Sequence, residues 1–510
     1  MHQNCNRTIH MNAFNKTLIA LTLGLSAASV QAAGEAKNVI FFLGDGMGPV
    51  DVTASRIYKY GEAGMLNMEQ LGRSARIKTY SNDAQTTDSA PSMAAYTTGV
   101  KMNNEVISMS ANTSAYNGTT PYVNGADSTC PLTGNGTSVP TILEQAKAAG
   151  KAVGVVTTTR ITHATPAATY AHICHRDGEN DIAAQLVQNN GLSGNSAYNT
   201  ALMGGVDVIL GGGRRHFLPS TTSGSKRTDT KDLIAQMQAN GYTYVADENG
   251  LKAVNTATTS KLLGLFTSSH MSWELDRNPA NEPSLSEMTT TALNILTKNN
   301  KGFYLMVEGG RIDHALHDTN AKRALVDTIA MDDAVKAAID LMQQKDPDLK
   351  NTLIVVTADH DHTMAFNGYG KRTGPTTGTE AGVLGVVKNV ISGTPQAAND
   401  GNPYPVLVFG NGNTGAAPEA GGNTCAAGGG GTGTGSCASV RGVNRGGVTD
   451  AQVASDNYHQ PVNVPFTGAG SETHGGGDVF LYAGGAGASS FKGTMVNTKV
   501  YQLIKTAFGF

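Results

Sequence analysis

Seven short, mainly apolar runs, at 39–43, 152–157, 206–210, 303–307, 352–357, 406–409 and 479–482, punctuate a chain that is otherwise polar and rich in glycine. Runs of four to six such residues, with little polar alternation and many β-branched members, predict strands buried on both faces. Between them, apolar residues recur every three to four positions at 90–98, 141–149, 285–298, 321–344 and 499–507, the spacing of helices with one buried face. Alternating strands and helices predict an α/β fold, a three-layer α/β/α sandwich whose mostly parallel central sheet is covered by helices on both faces. Long surface insertions cost such a core little, because loop-closure entropy rises slowly with length.

Two insertions are expected. Residues 103–139 are dominated by Asn, Ser, Thr and Gly and read as a surface excursion. Residues 368–470 contain a Gly-rich tract, 410–447, whose composition predicts poor order unless Cys425 and Cys437 pin it. The stretch 404–409 inside this second insertion reads as a strand returning to the core. No internal period marks a repeat architecture.

The N-terminus predicts a secretory signal over residues 1–32: Arg7 and Lys16, then apolar residues from Leu18 to Val30, then Ala32-Ala33. Met11 would serve equally as a start. No later segment reads as transmembrane, so residues 33–510 are expected to form one catalytic domain, soluble in a periplasmic or secreted location. Loss of Cys5 with the signal leaves Cys130, Cys174, Cys425 and Cys437 in an oxidising compartment. Four cysteines allow three pairings; Cys425 with Cys437 closes a short loop and is favoured, leaving Cys130 with Cys174. A net charge of −3 lacks the basic excess of a nucleic-acid binder.

Chemistry collects where the predicted strands end. Asp359-His360-Asp361-His362 follows the 352–357 run, Asp45 follows 39–43 within a Gly-rich turn, and Glu308 follows 303–307 with Asp313 and His317 just beyond. Carboxylates and imidazoles delivered to one sheet edge are the ligands of divalent metals of intermediate softness. Carboxylates crowded together also need cations if they are to stay ionised. Ser89 opens the helix predicted at 90–98, a position suited to a nucleophile acting on phosphate; Asp88 or Ser89 could instead cap that helix. Arg176 suits bidentate clamping of phosphate oxygens.

Asp45-Gly46-Met47-Gly48, Thr87-Asp88-Ser89-Ala90, Ala164-Thr165-Pro166-Ala167-Ala168, Glu308-Gly309, Asp313 with His317, Thr357-Ala358-Asp359-His360 and Glu472-Thr473-His474-Gly475-Gly476 together resemble the alkaline phosphatase family in order and spacing. The resemblance implies two zinc ions and one magnesium per subunit. It assigns Asp313, His317 and His474 to one zinc, Asp45, Asp359 and His360 to the other, and Asp45, Thr165 and Glu308 to magnesium. Ser89 would be the nucleophile, passing through a phosphoserine, and Arg176 the clamp beside Asp88, with His362 orienting a ligand. The implied reaction is hydrolysis of small phosphate monoesters to phosphate and an alcohol at alkaline pH, by a homodimer. His163 and His314 stand where the best-known enterobacterial pattern has aspartate and lysine, resembling animal and some marine bacterial members, and are expected near the third metal or the phosphate. The competing readings are a phosphodiesterase of the same superfamily and an inactive secreted metal- or phosphate-binding homologue. Retention of both Ser89 and Arg176 speaks against the inactive homologue.

Overall fold

The computed structural model describes residues 35–398, 401–412, 447–466 and 471–510. The signal segment, Cys425 and Cys437 lie outside them, as does most of the Gly-rich tract.

Ten strands form the central sheet: β1 (Asn38–Gly44), β2 (Arg73–Lys78), β3 (Ala152–Arg160), β4 (Val208–Gly212), β5 (Thr243–Val245), β6 (Leu262–Leu265), β7 (Phe303–Gly309), β8 (Thr352–Ala358), β9 (Val479–Gly485) and β10 (Gly493–Val496). Their order is β10-β2-β9-β8-β1-β7-β3-β4-β6-β5. Only β9 runs antiparallel to its neighbours. Every residue of β7 and β8 is buried, so both faces of the sheet centre are covered, as continuous apolar strands require. The helices that matter for the site are α1 (Pro49–Tyr60), α2 (Ser89–Thr98), α3 (Ala164–Ala167), α4 (Leu285–Leu296), α5 (Arg311–His317), α6 (Ala321–Lys345) and α7 (Asn497–Phe508). The capping box of Ser284 with Glu287 starts α4, satisfying two amides that the helix leaves unpaired.

Two expectations need correction. Residues 407–412 form a strand, but it lies in a separate three-stranded sheet with Met364–Phe366 and Val462–Pro465, not in the central sheet. Leu407 and Phe409 are nevertheless buried in the main core; a short apolar run specifies burial, while strand partners are chosen by tertiary contacts. The 103–139 segment is likewise more than a surface excursion. Three of its aliphatic side chains, Val106, Ile107 and Ala115, are buried, although Leu132 is exposed, and Ile107 exchanges backbone hydrogen bonds with Ile173 at 3.0 Å in each direction. A disulfide joins Cys130 of this segment to Cys174, the pairing expected by elimination.

The register of the central strands builds the site. Leu43 and Gly44 of β1 lie beside Glu308 and Gly309 of β7 on one side and Thr357 and Ala358 of β8 on the other. Asp45, Glu308 and Asp359 therefore emerge together at the C-terminal edge, where open parallel sheets bind ligands. Gly46 makes the turn possible: its φ is +69°, and a Cβ there would sit 2.5 Å from the His362 ring. Gly46→Ala should cost about 1–2 kcal/mol from the backbone alone, and more from the clash. Thermal unfolding of the metal-loaded variant should show a clear drop in Tm; an unchanged Tm would refute this role.

Candidate active site

Asp45, Glu308, Asp359 and His360 are fully buried, and Ser89 and Asp313 nearly so. Ser89 is the first residue of α2. Asp88 occupies the N-cap position yet makes no capping bond. Its carboxylate instead pairs with Arg176 Nη1 and accepts the Glu105 N–H at 2.9 Å. The capping explanation thus fails, and the Ser89 hydroxyl is turned to the site, with Oγ 3.2 Å from His360 Nε2 and 3.4 Å from Asp45 Oδ1.

Backbone carbonyls fix the imidazole tautomers. His317 Nδ1 meets the Glu472 carbonyl, His474 Nδ1 the Thr87 carbonyl at 2.8 Å, and His360 Nδ1 the Asp361 carbonyl at 3.2 Å. A carbonyl only accepts, so each Nδ1 carries the proton and each Nε2 presents a lone pair. Those lone pairs converge. His317 Nε2 and His474 Nε2 are 3.1 Å apart, 3.2 and 3.5 Å from Asp313 Oδ1. His360 Nε2 lies 3.3 Å from Asp45 Oδ1 and 3.5 Å from Asp359 Oδ2. Imidazole nitrogens and carboxylate oxygens brought face to face at these distances are a donor set for a cation, which would take the place of the protons the metal-free groups hold.

His362 differs. Its Nδ1 contacts Glu472 Oε2 at 2.6 Å and its Nε2 contacts Asp313 Oδ1 at 2.9 Å. Burial opposes its charge, but these carboxylates raise its pKa well above the ordinary range. It orients Asp313 in the manner of groups behind a metal ligand. The third group is mainly oxygen: Thr165 Oγ1 donates to Asp45 Oδ2 at 3.3 Å, and Asp45, His163 and Glu308 lie together. Glu308 Oε1 and Asp359 Oδ2 are buried without a hydrogen-bond partner. Imidazole–carboxylate sets suit zinc, and the oxygens of Asp45, Thr165 and Glu308 suit magnesium.

Arg176 is held by Asp88, by its own N–H on the Glu105 carbonyl at 2.8 Å, and by Nη2 on His163 Nε2 at 3.0 Å. His163 and His314 lie edge to face with centroids 5.5 Å apart. His270 and Glu472 were not foreseen as site residues. Glu472 sits within a quoted motif, next but one to His474, whereas nothing in the spacing around His270 marks it.

A family model described as alkaline phosphatase matches residues 36–510. The chain belongs to the alkaline phosphatase family. It is 36% identical to the membrane-bound alkaline phosphatase of Bombyx mori, over 93% of this chain and 80% of that protein. It is also 36% identical to the tissue-nonspecific alkaline phosphatase of Gallus gallus, over 88% and 80%. The alkaline phosphatase of Thermus thermophilus superposes with a TM-score of 0.61, covering 96% of each chain at 25% identity. A histidine-to-aspartate variant of the TAB5 alkaline phosphatase, with magnesium in its M3 site, superposes with a TM-score of 0.60 over 94% and 99% at 22% identity, a likeness of fold alone. As a family member the chain is a metal-dependent enzyme that hydrolyses phosphate monoesters. Among the described residues no helix is long and apolar enough to cross a membrane.

Without metal, burial raises Asp359 to about 8, assisted by Asp45, and Glu308 to about 7. Both values lie above the unfolded carboxylate range near 4. The folded metal-free protein therefore holds protons that the unfolded chain has released. This contribution to stability is fully present below about pH 4 and is lost as pH rises through about 7–8. Titrating zinc and magnesium into stripped protein should release protons at about pH 6 and fewer at about pH 9. Calorimetry in buffers of different ionisation enthalpy would measure this, and release that did not fall with pH would contradict it.

Proposed function

We propose that Ser89 is the nucleophile of this alkaline phosphatase and that Arg176 clamps the phosphate of a small phosphomonoester. We further propose that Asp313, His317 and His474 hold one zinc, that Asp45, Asp359 and His360 hold a second, and that Asp45, Thr165 and Glu308 hold magnesium. The observation that carries this reading is the convergence of Nε2 lone pairs on Asp313 and on Asp45 with Asp359, beside a Ser89 hydroxyl that caps no helix. When bound, the ions supply Lewis-acid stabilisation of phosphoryl charge and lower the pKa of water.

The chain's own groups do the rest. Ser89 Oγ, at the N-terminus of α2, forms a bond to phosphorus while the ester oxygen departs and takes up a proton. Water then attacks the phosphoserine, the Oγ–P bond breaks, and inorganic phosphate leaves. Arg176 directs its planar fork at the equatorial oxygens, and Asp88 keeps it in place. His163 borders both Arg176 and the third metal group. His314 stands behind His163, and His362 fixes Asp313. Formal charges of the four carboxylates, a serine alkoxide, three divalent ions and Arg176 leave about two positive charges, matching a phosphate dianion. Family membership supports a homodimer. The composition of residues 1–32 supports a secretory signal followed by one catalytic domain, residues 33–510, placed in the periplasm or outside the cell. A disulfide between Cys130 and Cys174 fits an oxidising compartment.

Ser89→Ala should lower turnover of p-nitrophenyl phosphate by roughly 10³-fold or more while metal content stays constant. Label trapped from phosphate at acidic pH should appear on Ser89 in the parent; label on another residue would refute the assignment. Arg176→Ala should raise KM and weaken inhibition by inorganic phosphate by roughly 10- to 100-fold. Unchanged phosphate inhibition would show that the clamp lies elsewhere.

A further inference from the structure

His163, His270 and His314 reach one point from three separate segments: the residue before α3, the loop after β6, and α5. One ring nitrogen of each lies within 4.8 Å of the other two. The rings meet edge to face, with centroids 4.2 Å apart for His270 and His314, 5.1 Å for His163 and His270, and 5.5 Å for His163 and His314. Aromatic packing alone would be served by any ring and would leave no polar atom stranded. Here His163 is only 8% exposed, its Nε2 is taken by Arg176, and its Nδ1 has no hydrogen-bond partner. Leaving such an atom unsatisfied is costly, and ligation is one way to remove the cost.

We propose that these three imidazoles form an additional metal site that takes a borderline divalent ion, zinc being the one expected. Three nitrogen ligands with a fourth position open is a common zinc arrangement, whereas magnesium demands oxygen. The site shares no ligand with the magnesium group of the proposed reading, which His163 only borders, and does not depend on which ester is hydrolysed.

The surroundings set its strength. Arg176 contacts His163, Arg160 contacts His270 through both its backbone N–H and its guanidinium, and Arg311 Nη1 contacts His314 Nδ1 at 2.7 Å. These positive charges oppose a dication, so the site fills only after the carboxylate-bearing groups are saturated. Each guanidinium also has a second anchor: Asp88 for Arg176, Glu179 for Arg160, and the Trp273 ring, 4.1 Å from Arg311. Arg176 and Arg160 can therefore surrender their imidazole contacts without being stranded, whereas Arg311, whose Nε already lacks a partner, would keep only the ring, which makes His314 the costliest of the three ligands to recruit. Ligation through His163 Nδ1 leaves that ring's proton on Nε2, which can then no longer accept from Arg176, so excess zinc weakens the support of the proposed phosphate clamp.

The test uses the enzyme already loaded with zinc and magnesium. Crystals soaked in excess zinc should show anomalous zinc scattering between the three imidazoles. Metal analysis at the same excess should find one more zinc per chain in the parent than in His270→Asn, and the zinc concentration for half-inhibition should rise about tenfold or more in that variant. No scattering at the imidazoles of the parent overturns the proposal even if the variant fails to fold. Extra zinc found at Asp45 and Glu308 instead, and retained in His270→Asn, overturns it too. None of these outcomes bears on whether Ser89 carries the phosphoryl group.

Discussion

The structure turns on the burial of several carboxylates at one edge of a parallel sheet. Asp45, Glu308 and Asp359 leave adjacent strands in register and have no access to solvent. Burial raises the pKa of Asp45 well above its ordinary value, and the Asp313 and Glu308 charges add to the shift. Protons can relieve this crowding, but cations do so without abolishing the charges that the chemistry uses. Folding at this edge and metal binding are therefore linked, and neighbouring groups are arranged around that need. Three histidines are locked by backbone carbonyls into the tautomer whose Nε2 lone pair faces Asp313 or Asp45, so a cation taken up there would require little reorganisation.

A second layer holds Asp313 and Arg176. Glu472 reaches His362 and the Thr363 N–H, the latter at 2.7 Å, and His362 in turn holds Asp313. On the other side, Asp88 links the start of α2 to Arg176 and to Glu105, and the Cys130–Cys174 disulfide lies two residues before the arginine. The 103–139 segment is thus part of the scaffold that holds Arg176. A low-complexity composition conceals this, because two or three buried aliphatic residues are enough to dock such a segment when a disulfide limits its freedom.

Legibility in the sequence followed burial. Strands β1, β3, β7 and β8 announce themselves as continuous apolar runs because both their faces are covered. β2 was not foreseen, since only Ala75 and Ile77 of its six residues are buried. β5, β6 and β10 were missed as well: each has only three or four residues, too few to show a period. The 406–409 run was recognised as a strand but placed in the wrong sheet, because hydrophobicity reports that a segment is buried and carries no record of its neighbours.

The order of residue types along the chain determined the α/β class, the three strand ends that bear carboxylates, and the candidacy of Ser89 and Arg176, since these follow from local runs and motif spacing. Only the tertiary structure decided the imidazole tautomers, the transfer of Asp88 from helix cap to arginine anchor, and the meeting of His270 with His163 and His314. Apart from the His360 contact with its neighbour Asp361, those depend on hydrogen-bond partners and ring contacts across tens to hundreds of residues. The chain brings such partners together through sheet register and loop docking, and no local pattern encodes that encounter.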